Sequence, residues 1–302
     1  MNKILIWLKA ARLRTLPLSL SGIIVGTAMA NAKGFNDILV FILALSTTVA
    51  FQITSNFAND YGDGTKGTDD ENRIGPKRVL QSGLLSKSAL KIGILISITI
   101  SLFLSVILLY SAFGNENFGL LIIFLLLAIG SIWAAIRYTV GKNPYGYQGL
   151  GDLFVFLFFG ILAVVGAEFL FTKRVEWLTF LPAITIGLLS TAVLNLNNLR
   201  DHTQDKVHGK STLVVKMGFR KGKVYHNLIV ILAFLALICY HLLSQLSIES
   251  GFYFLAFLPI FIHLRKLNKI SEPRKIDPEL KKVALSTFLL SILFYFAVNY
   301  FY

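Results

Sequence analysis

Five of the sixteen acidic residues crowd into one stretch, 56-NFANDYGDGTKGTDDENRIGPKR-78: Asp60, Asp63, Asp69, Asp70 and Glu71. Two more, Asp201 and Asp205, stand in 195-NLNNLRDHTQDKVHGKST-212. Each group follows an Asn-rich segment, with Asn56 and Asn59 before the first and Asn195, Asn197 and Asn198 before the second. Asp60 and Asp63 are spaced i, i+3, and Asp201 and Asp205 i, i+4, so on helices each pair shares a face. Like charges so close repel, and a helix C-terminus repels anions as well, so the arrangement calls for a cation. Hard carboxylate oxygens, with no paired His and with Cys239 the lone cysteine, suggest Mg²⁺. Mg²⁺ is commonly held by one or two carboxylates together with the oxygens of a phosphorylated substrate. A loop acid can also be simply solvated. For Asp69, Asp70 and Glu71 the two readings balance; for Asp63, Asp201 and Asp205, at helix ends beside Asn, the metal reading is favoured.

Basic residues flank both groups: Arg73, Lys77, Arg78, Arg200, Lys206 and Lys210, with Arg12, Arg14 and Lys142 expected on the same face. Such donors suit an anionic phosphate, with Arg able to make paired contacts. Most of them are also explained by topology alone, as shown below. The run 209-GKST-212 imitates the end of a nucleotide phosphate loop, but the Gly required five residues earlier is Gln204 and no strand precedes it. Asp152 and Glu168 fall at or within apolar runs. The first is expected at the inner mouth of a span, where it could line the site, and the second near the outer end, reaching water. Gly62, Gly64 and Gly67 are expected to break the helix and let the following acids fold back. Gly22 and Gly26 read as a close helix-packing face.

These residues must be positioned by membrane spans. Of 302 residues 55% are apolar and 15% charged, and the mean hydropathy is +0.68. That excludes a disordered chain, a coiled coil and an ordinary soluble domain. The single cysteine excludes a disulfide framework and thiolate metal sites. Apolar runs predict nine transmembrane helices, at 15–32, 37–59, 89–113, 117–138, 150–172, 176–199, 224–244, 250–264 and 284–302. Placing the N-terminus inside puts twenty-six Lys and Arg on one side and only Lys33, Lys173 and Arg174 on the other. The net charge of +13 is thereby explained by topology and anionic membrane lipid, with no nucleic-acid partner. Both acid groups then lie on the cytoplasmic side. Ala28-Met29-Ala30 imitates a signal-peptidase site, but the long charged region before it and Pro17 at the start of the run argue for a retained first helix.

The two Asp-rich helix ends, the nine spans and the Tyr138-x-x-x-Lys142 step resemble the UbiA superfamily of intramembrane prenyltransferases. Within it, 11-ARLRTLP-17, 59-NDYGDGTKGTDDENRIGPKR-78, 145-YGYQGLGD-152 and 197-NNLRDHTQDKVHGKSTL-213 are similar to the branch that acts on 1,4-dihydroxy-2-naphthoate in menaquinone synthesis. The resemblance runs from the first helix to about residue 218. It implies an all-α polytopic bundle of one domain, residues 1–302, around a central cavity in the cell inner membrane. It implies Mg²⁺ ions joining the Asp motifs to a polyprenyl diphosphate. Carried over by position, Asp60, Asp63, Asp69, Asp201 and Asp205 hold metal. Asn59 and Asn198 belong to the two motifs. Arg12, Lys142 and Arg73 or Arg78 hold the diphosphate, and Tyr138 faces the reacting carbon. In many relatives the first motif is N-x3-D-x3-D; here Gly67 takes the last place, so the third ligand is Asp69 or Asp70. A sister enzyme with another aromatic acceptor, such as 4-hydroxybenzoate, and a cation-coupled transporter stay open. The transporter is disfavoured because its acids would lie near the bilayer midplane.

Overall fold

The computed structural model describes residues 2–68 and 74–301, and among them every regular element is helical. The long helices are α1 (Lys3–Ala11), α2 (Leu16–Asn31), α3 (Ile38–Lys66), α4 (Lys87–Phe113) and α5 (Phe118–Arg137), then the broken run α6 (Gly151–Val155) and α7 (Ala163–Thr172). They continue as α8 (Phe180–Val207), the short α9 (Leu213–Met217), α10 (Phe219–Leu243), α11 (Phe257–Lys269) and α12 (Asp277–Tyr300). A π-helix, Phe156–Leu162, joins α6 to α7. Eight helical runs among the described residues are long and apolar enough to cross a membrane, and the chain is a multi-pass membrane protein. The expected span at 250–264 is not one of the eight. There a 3₁₀ helix, Glu249–Ala256, runs into α11, whose last two turns carry His263, Arg265, Lys266 and Lys269.

The two longest helices overrun the bilayer furthest. The 29 residues of α3 and the 28 of α8 rise about 44 and 42 Å, against a hydrocarbon thickness of ~30 Å. The surplus, some two turns or more, is where the C-terminal ends turn polar. Both acid pairs therefore ride on continuous helix, as their spacing predicts. The expected breaks at Gly62 and Gly64 do not occur. Neither terminates α3, because each is needed for close approach: a Cβ on Gly62 would strike Thr139, and one on Gly64 would come 2.7 Å from Leu80 Cδ2. The helix stops one residue before Gly67, whose φ of +73° is the left-handed turn that favours glycine.

Contacts divide the chain into two compact units. The first comprises residues 1–16, 39–151 and 201–215. Its core joins α1, α3 and α4 through Ala10, Ala11, Phe57, Val79, Leu90 and Ile94, with the Trp7 ring tilted against that of Phe57 at 5.4 Å. On α4 the usual pattern is inverted: Ser97, Ser101 and Ser105 are buried while Ile96, Ile100 and Phe103 are exposed. Lipid is as apolar as a protein core, so small residues gain more by close packing than large ones do by burial. Ser101 and Thr54 hydroxyls lie 3.2 Å apart, tying α4 to α3.

The second unit comprises residues 17–38, 152–200 and 216–302. Gly22 and Gly26 pack as expected: a Cβ on Gly22 would sit 2.6 Å from Ala163 Cβ, and one on Gly26 2.7 Å from Ala167 Cβ. Glu168 corrects an expectation, since it is fully buried and pairs with Lys33 at 2.6 Å instead of reaching water. A bare carboxylate would be expelled from this position, and the Lys33 ammonium supplies the charge that lets it stay. Deeper in the unit, His226, His263 and Glu279 form a buried chain, with Nε2 to Nε2 and Nδ1 to Oε2 distances of 2.9 Å. Lys266 and Lys282 close on the other Glu279 oxygen. The chain ties α10, α11 and α12 together.

Candidate active site

The first acid motif is built on the C-terminal turns of α3. Asp60 is buried; its Oδ2 accepts the Val79 backbone N–H at 3.2 Å, and the charge of Arg12 acts on it. Its Oδ1 is buried with no hydrogen-bond partner among the described residues. One turn on, Asp63 accepts the Tyr147 hydroxyl on Oδ1 at 2.8 Å, and its Oδ2 lies 4.0 Å from the Arg78 guanidinium. Asn59 Oδ1 accepts the Thr139 hydroxyl at 3.3 Å. The same hydroxyl reaches the Ala58 carbonyl at 3.2 Å, so the chain just after α5 is clipped to α3 where Gly62 leaves room. Gly62→Ala is expected to lower thermal stability by about 1–3 kcal/mol, as overpacking does. Thr139→Ala should not restore it, because the added Cβ would still meet the Thr139 backbone carbon at 2.8 Å.

The second motif lies on the last turns of α8. Asp205 is buried, and Asp201, half-buried, precedes it by one turn on the same face. Gly209, with φ +70°, turns the chain back so that Lys210 donates its N–H to the Asp205 carbonyl at 2.8 Å. The Lys210 ammonium then stands 3.7 Å from Asp205 Oδ1 and within the field of Asp63. Burial works to strip its proton. The opposite charges of Asp63 and Asp205 outweigh burial and hold Lys210 above the ordinary lysine value. Tyr147 is pushed the same way, first by burial and then by the Asp63 charge, so its phenol keeps the proton it donates.

Lys210 and Tyr147 thus bring Asp63 and Asp205 into one cluster within the first unit, with Arg78 beside them. The remaining expected residues divide. Tyr138 caps α5, half-buried, its ring 5.4 Å from that of Tyr145. Lys142 is exposed in the following loop. Asn198 is buried in the second unit. Arg200 pairs with Asp277 and donates to Asn197 Oδ1 at 3.0 Å within the second unit. Asp69, Asp70, Glu71 and Arg73 lie outside the described residues. Among the described residues no three His, Cys, Asp or Glu side chains gather closely enough to hold a metal by themselves. The donor set nevertheless suits a hard divalent ion that also takes oxygens from a ligand. Asp60 keeps a buried oxygen without a hydrogen-bond donor among the described residues, and the carboxylates of Asp63 and Asp205 are both buried and both act on Lys210.

Tyr147 and Thr68 were not expected at the site. Tyr147 lies in the 145-YGYQGLGD-152 stretch, where nothing in the local pattern separates it from Tyr145. Only the fold shows that one phenol turns to Asp63 and the other to the Ala134 carbonyl.

The model of the UbiA prenyltransferase family matches residues 19–292. The 1,4-dihydroxy-2-naphthoate octaprenyltransferase of Haemophilus influenzae is 42% identical over 97% of this chain and 95% of its own length. The Escherichia coli protein of the same name is 40% identical over 95% and 93%. Among solved structures, a UbiA homologue from Archaeoglobus fulgidus bound to GPP and Mg²⁺ superposes with a TM-score of 0.71 at 16% identity, over 97% of this chain and 99% of that one.

Proposed function

Because the chain belongs to the UbiA prenyltransferase family, we propose that it transfers a polyprenyl group from polyprenyl diphosphate to 1,4-dihydroxy-2-naphthoate, releasing diphosphate and CO₂ and giving demethylmenaquinol. The acceptor is taken from the names of the relatives at 40–42% identity. The observation that carries the reading is the meeting of two buried aspartate motifs on one lysine at the ends of two over-long helices.

Mg²⁺ bound by Asp60, Asp63, Asp201 and Asp205, with Asp69 or Asp70 completing the first motif, would supply the Lewis-acid charge that makes diphosphate a leaving group. The chain's own cations do related work. Arg78 beside Asp63 and Lys210 between Asp63 and Asp205 offer positive charge to the anion that grows as the carbon–oxygen bond breaks and its electron pair leaves with diphosphate. By the family resemblance Arg12, Lys142 and Arg73 or Arg78 would hold the diphosphate, and Asn59 and Asn198 belong to the two motifs. Tyr138 presents its ring to the allylic cation. The naphthoate ring carbon bearing the carboxylate attacks this cation; the new carbon–carbon bond forms and CO₂ departs, leaving its bonding pair to restore the aromatic ring. The bilayer both dissolves the isoprenoid and keeps water from the cation.

The reading places both units in one prenyltransferase domain in the cell inner membrane, N-terminus in the cytoplasm. It includes a ninth crossing at 250–264, where seven 3₁₀ residues rise about 14 Å and eight α-helical residues about 12 Å, close to the ~30 Å hydrocarbon layer. An odd number of crossings also keeps the basic loops on one side.

The test incubates membranes carrying the protein with labelled polyprenyl diphosphate and dihydroxynaphthoate, with and without EDTA. Labelled lipid formed only without EDTA is the expected result. Product with 4-hydroxybenzoate and none with dihydroxynaphthoate would reassign the acceptor; no product with either would overturn the reading.

A further inference from the structure

We propose that Tyr147 is the positioning residue that couples the two aspartate motifs and sets Asp63 for the divalent ion. The inference rests on the reading of the site given above. Tyr147 reaches the two motifs through three of its groups, the hydroxyl, the backbone carbonyl and the ring. Its hydroxyl donates to Asp63 Oδ1 at 2.8 Å. Its backbone carbonyl accepts the Ser211 N–H at 2.9 Å, in the turn that follows the second motif. Its ring lies under two ammonium groups, Lys66 at 4.4 Å and Lys210 at 5.3 Å from the centroid. One residue therefore touches the first motif through a side-chain oxygen and the second through its backbone and ring.

The direction of the hydrogen bonds follows from proton counting. A phenol has one proton, and Asp63 takes it. The Thr68 hydroxyl, 2.6 Å from the same phenol oxygen, must then be the donor in that pair. The Thr68 to Tyr147 to Asp63 relay points all its protons toward the carboxylate and fixes Oδ1. Asp63 Oδ2 is left on the side where Arg78 stands at 4.0 Å, the cationic side where an anionic ligand and its metal would bind. A phenol suits this task better than a lysine, because it orients the carboxylate without cancelling its charge. Tyr145 provides the internal comparison: it differs by two positions, carries the same group, and spends its hydroxyl on the Ala134 carbonyl.

The experiment uses the full-length protein in lipid nanodiscs. Mn²⁺ binding is followed by electron paramagnetic resonance in the presence of an unreactive prenyl thiodiphosphate. Tyr147→Phe keeps the ring and the backbone contact and removes the hydroxyl. It is expected to raise the Mn²⁺ half-saturation roughly tenfold, the scale of one hydrogen bond to a charged group. Tyr145→Phe should leave it unchanged. In turnover, Tyr147→Phe should raise the Mg²⁺ half-saturation while the rate at saturating Mg²⁺ falls much less, a split that general loosening would not give. Wild-type Mn²⁺ half-saturation in Tyr147→Phe overturns the proposal. Should that variant fail to fold, Thr68→Val decides: it removes the donor behind the phenol and is expected to weaken Mn²⁺ binding in the same direction, and no weakening overturns the proposal. A wild-type protein that binds no Mn²⁺ overturns the reading of the site and this inference with it, whereas wild-type binding matched by Tyr147→Phe overturns the inference alone.

Discussion

Asp63→Asn should lower prenyl transfer by about a thousandfold or more, the scale on which a preorganised charge-stabilising group acts in catalysis. Asn is nearly isosteric and retains an oxygen for the Tyr147 hydroxyl, so the change removes charge and little else. The folded protein should survive, because Asp63 lies on the last turns of α3, outside the apolar cluster that joins α1, α3 and α4. Two measurements check this. Metal-free thermal unfolding in detergent should fall by less than Lys210→Met gives, because Asp205 still faces the Lys210 ammonium, and the rise in melting temperature that Mg²⁺ with prenyl diphosphate gives the wild type should be largely lost. Adding Asp205→Asn should cost little more than Asp63→Asn alone, since groups that act as one unit are strongly non-additive. Wild-type turnover in Asp63→Asn would remove the metal assignment.

That both motifs ride on helices was legible because their i, i+3 and i, i+4 spacings match the helical period, and neither needs tertiary context. The membrane character and all-helical class were legible for a similar reason: long apolar runs leave the backbone no other way to satisfy its hydrogen bonds. Gly62 and Gly64 show where such reasoning fails. As a local signal Gly weakens a helix, yet here each sits inside one because Thr139 and Leu80 must come close, and those partners are distant in sequence. Glu168 fails for the same reason, since the Lys33 that keeps it buried is 135 residues away. The pairing of buried Arg200 with Asp277 is of the same kind, since its partner is 77 residues away. Tyr147 was invisible because its role is set by the direction of one hydroxyl, which no spacing records. Residue type and period therefore reveal which groups are available; which groups meet is decided by contacts across long stretches of chain.

Lys210→Met carries the other large effect, and its signature is opposite in sign to that of Asp63→Asn. Met fills much of the same volume without charge, so Asp63 and Asp205 are left buried with one cation fewer between them. Removing one partner from a buried ion pair costs about 3 kcal/mol or more, so metal-free unfolding should move to clearly lower temperature. In the wild type this contribution is constant across working pH. Lys210 is held above the ordinary lysine value of 10.5, so its stabilisation is complete below that value and is lost only as pH rises through the still higher folded value. The stability deficit of the variant should therefore hold from about pH 6 to about pH 9 and shrink only above the ordinary lysine value, where the wild type begins to lose its ammonium. Mg²⁺ with prenyl diphosphate should recover more stability in Lys210→Met than in the wild type, since the ion meets an uncompensated site. Turnover should still fall by about a hundredfold, because a positive charge facing the leaving group is gone. Equal metal-free melting in wild type and Lys210→Met within that pH range would mean that Lys210 does not hold the two motifs together.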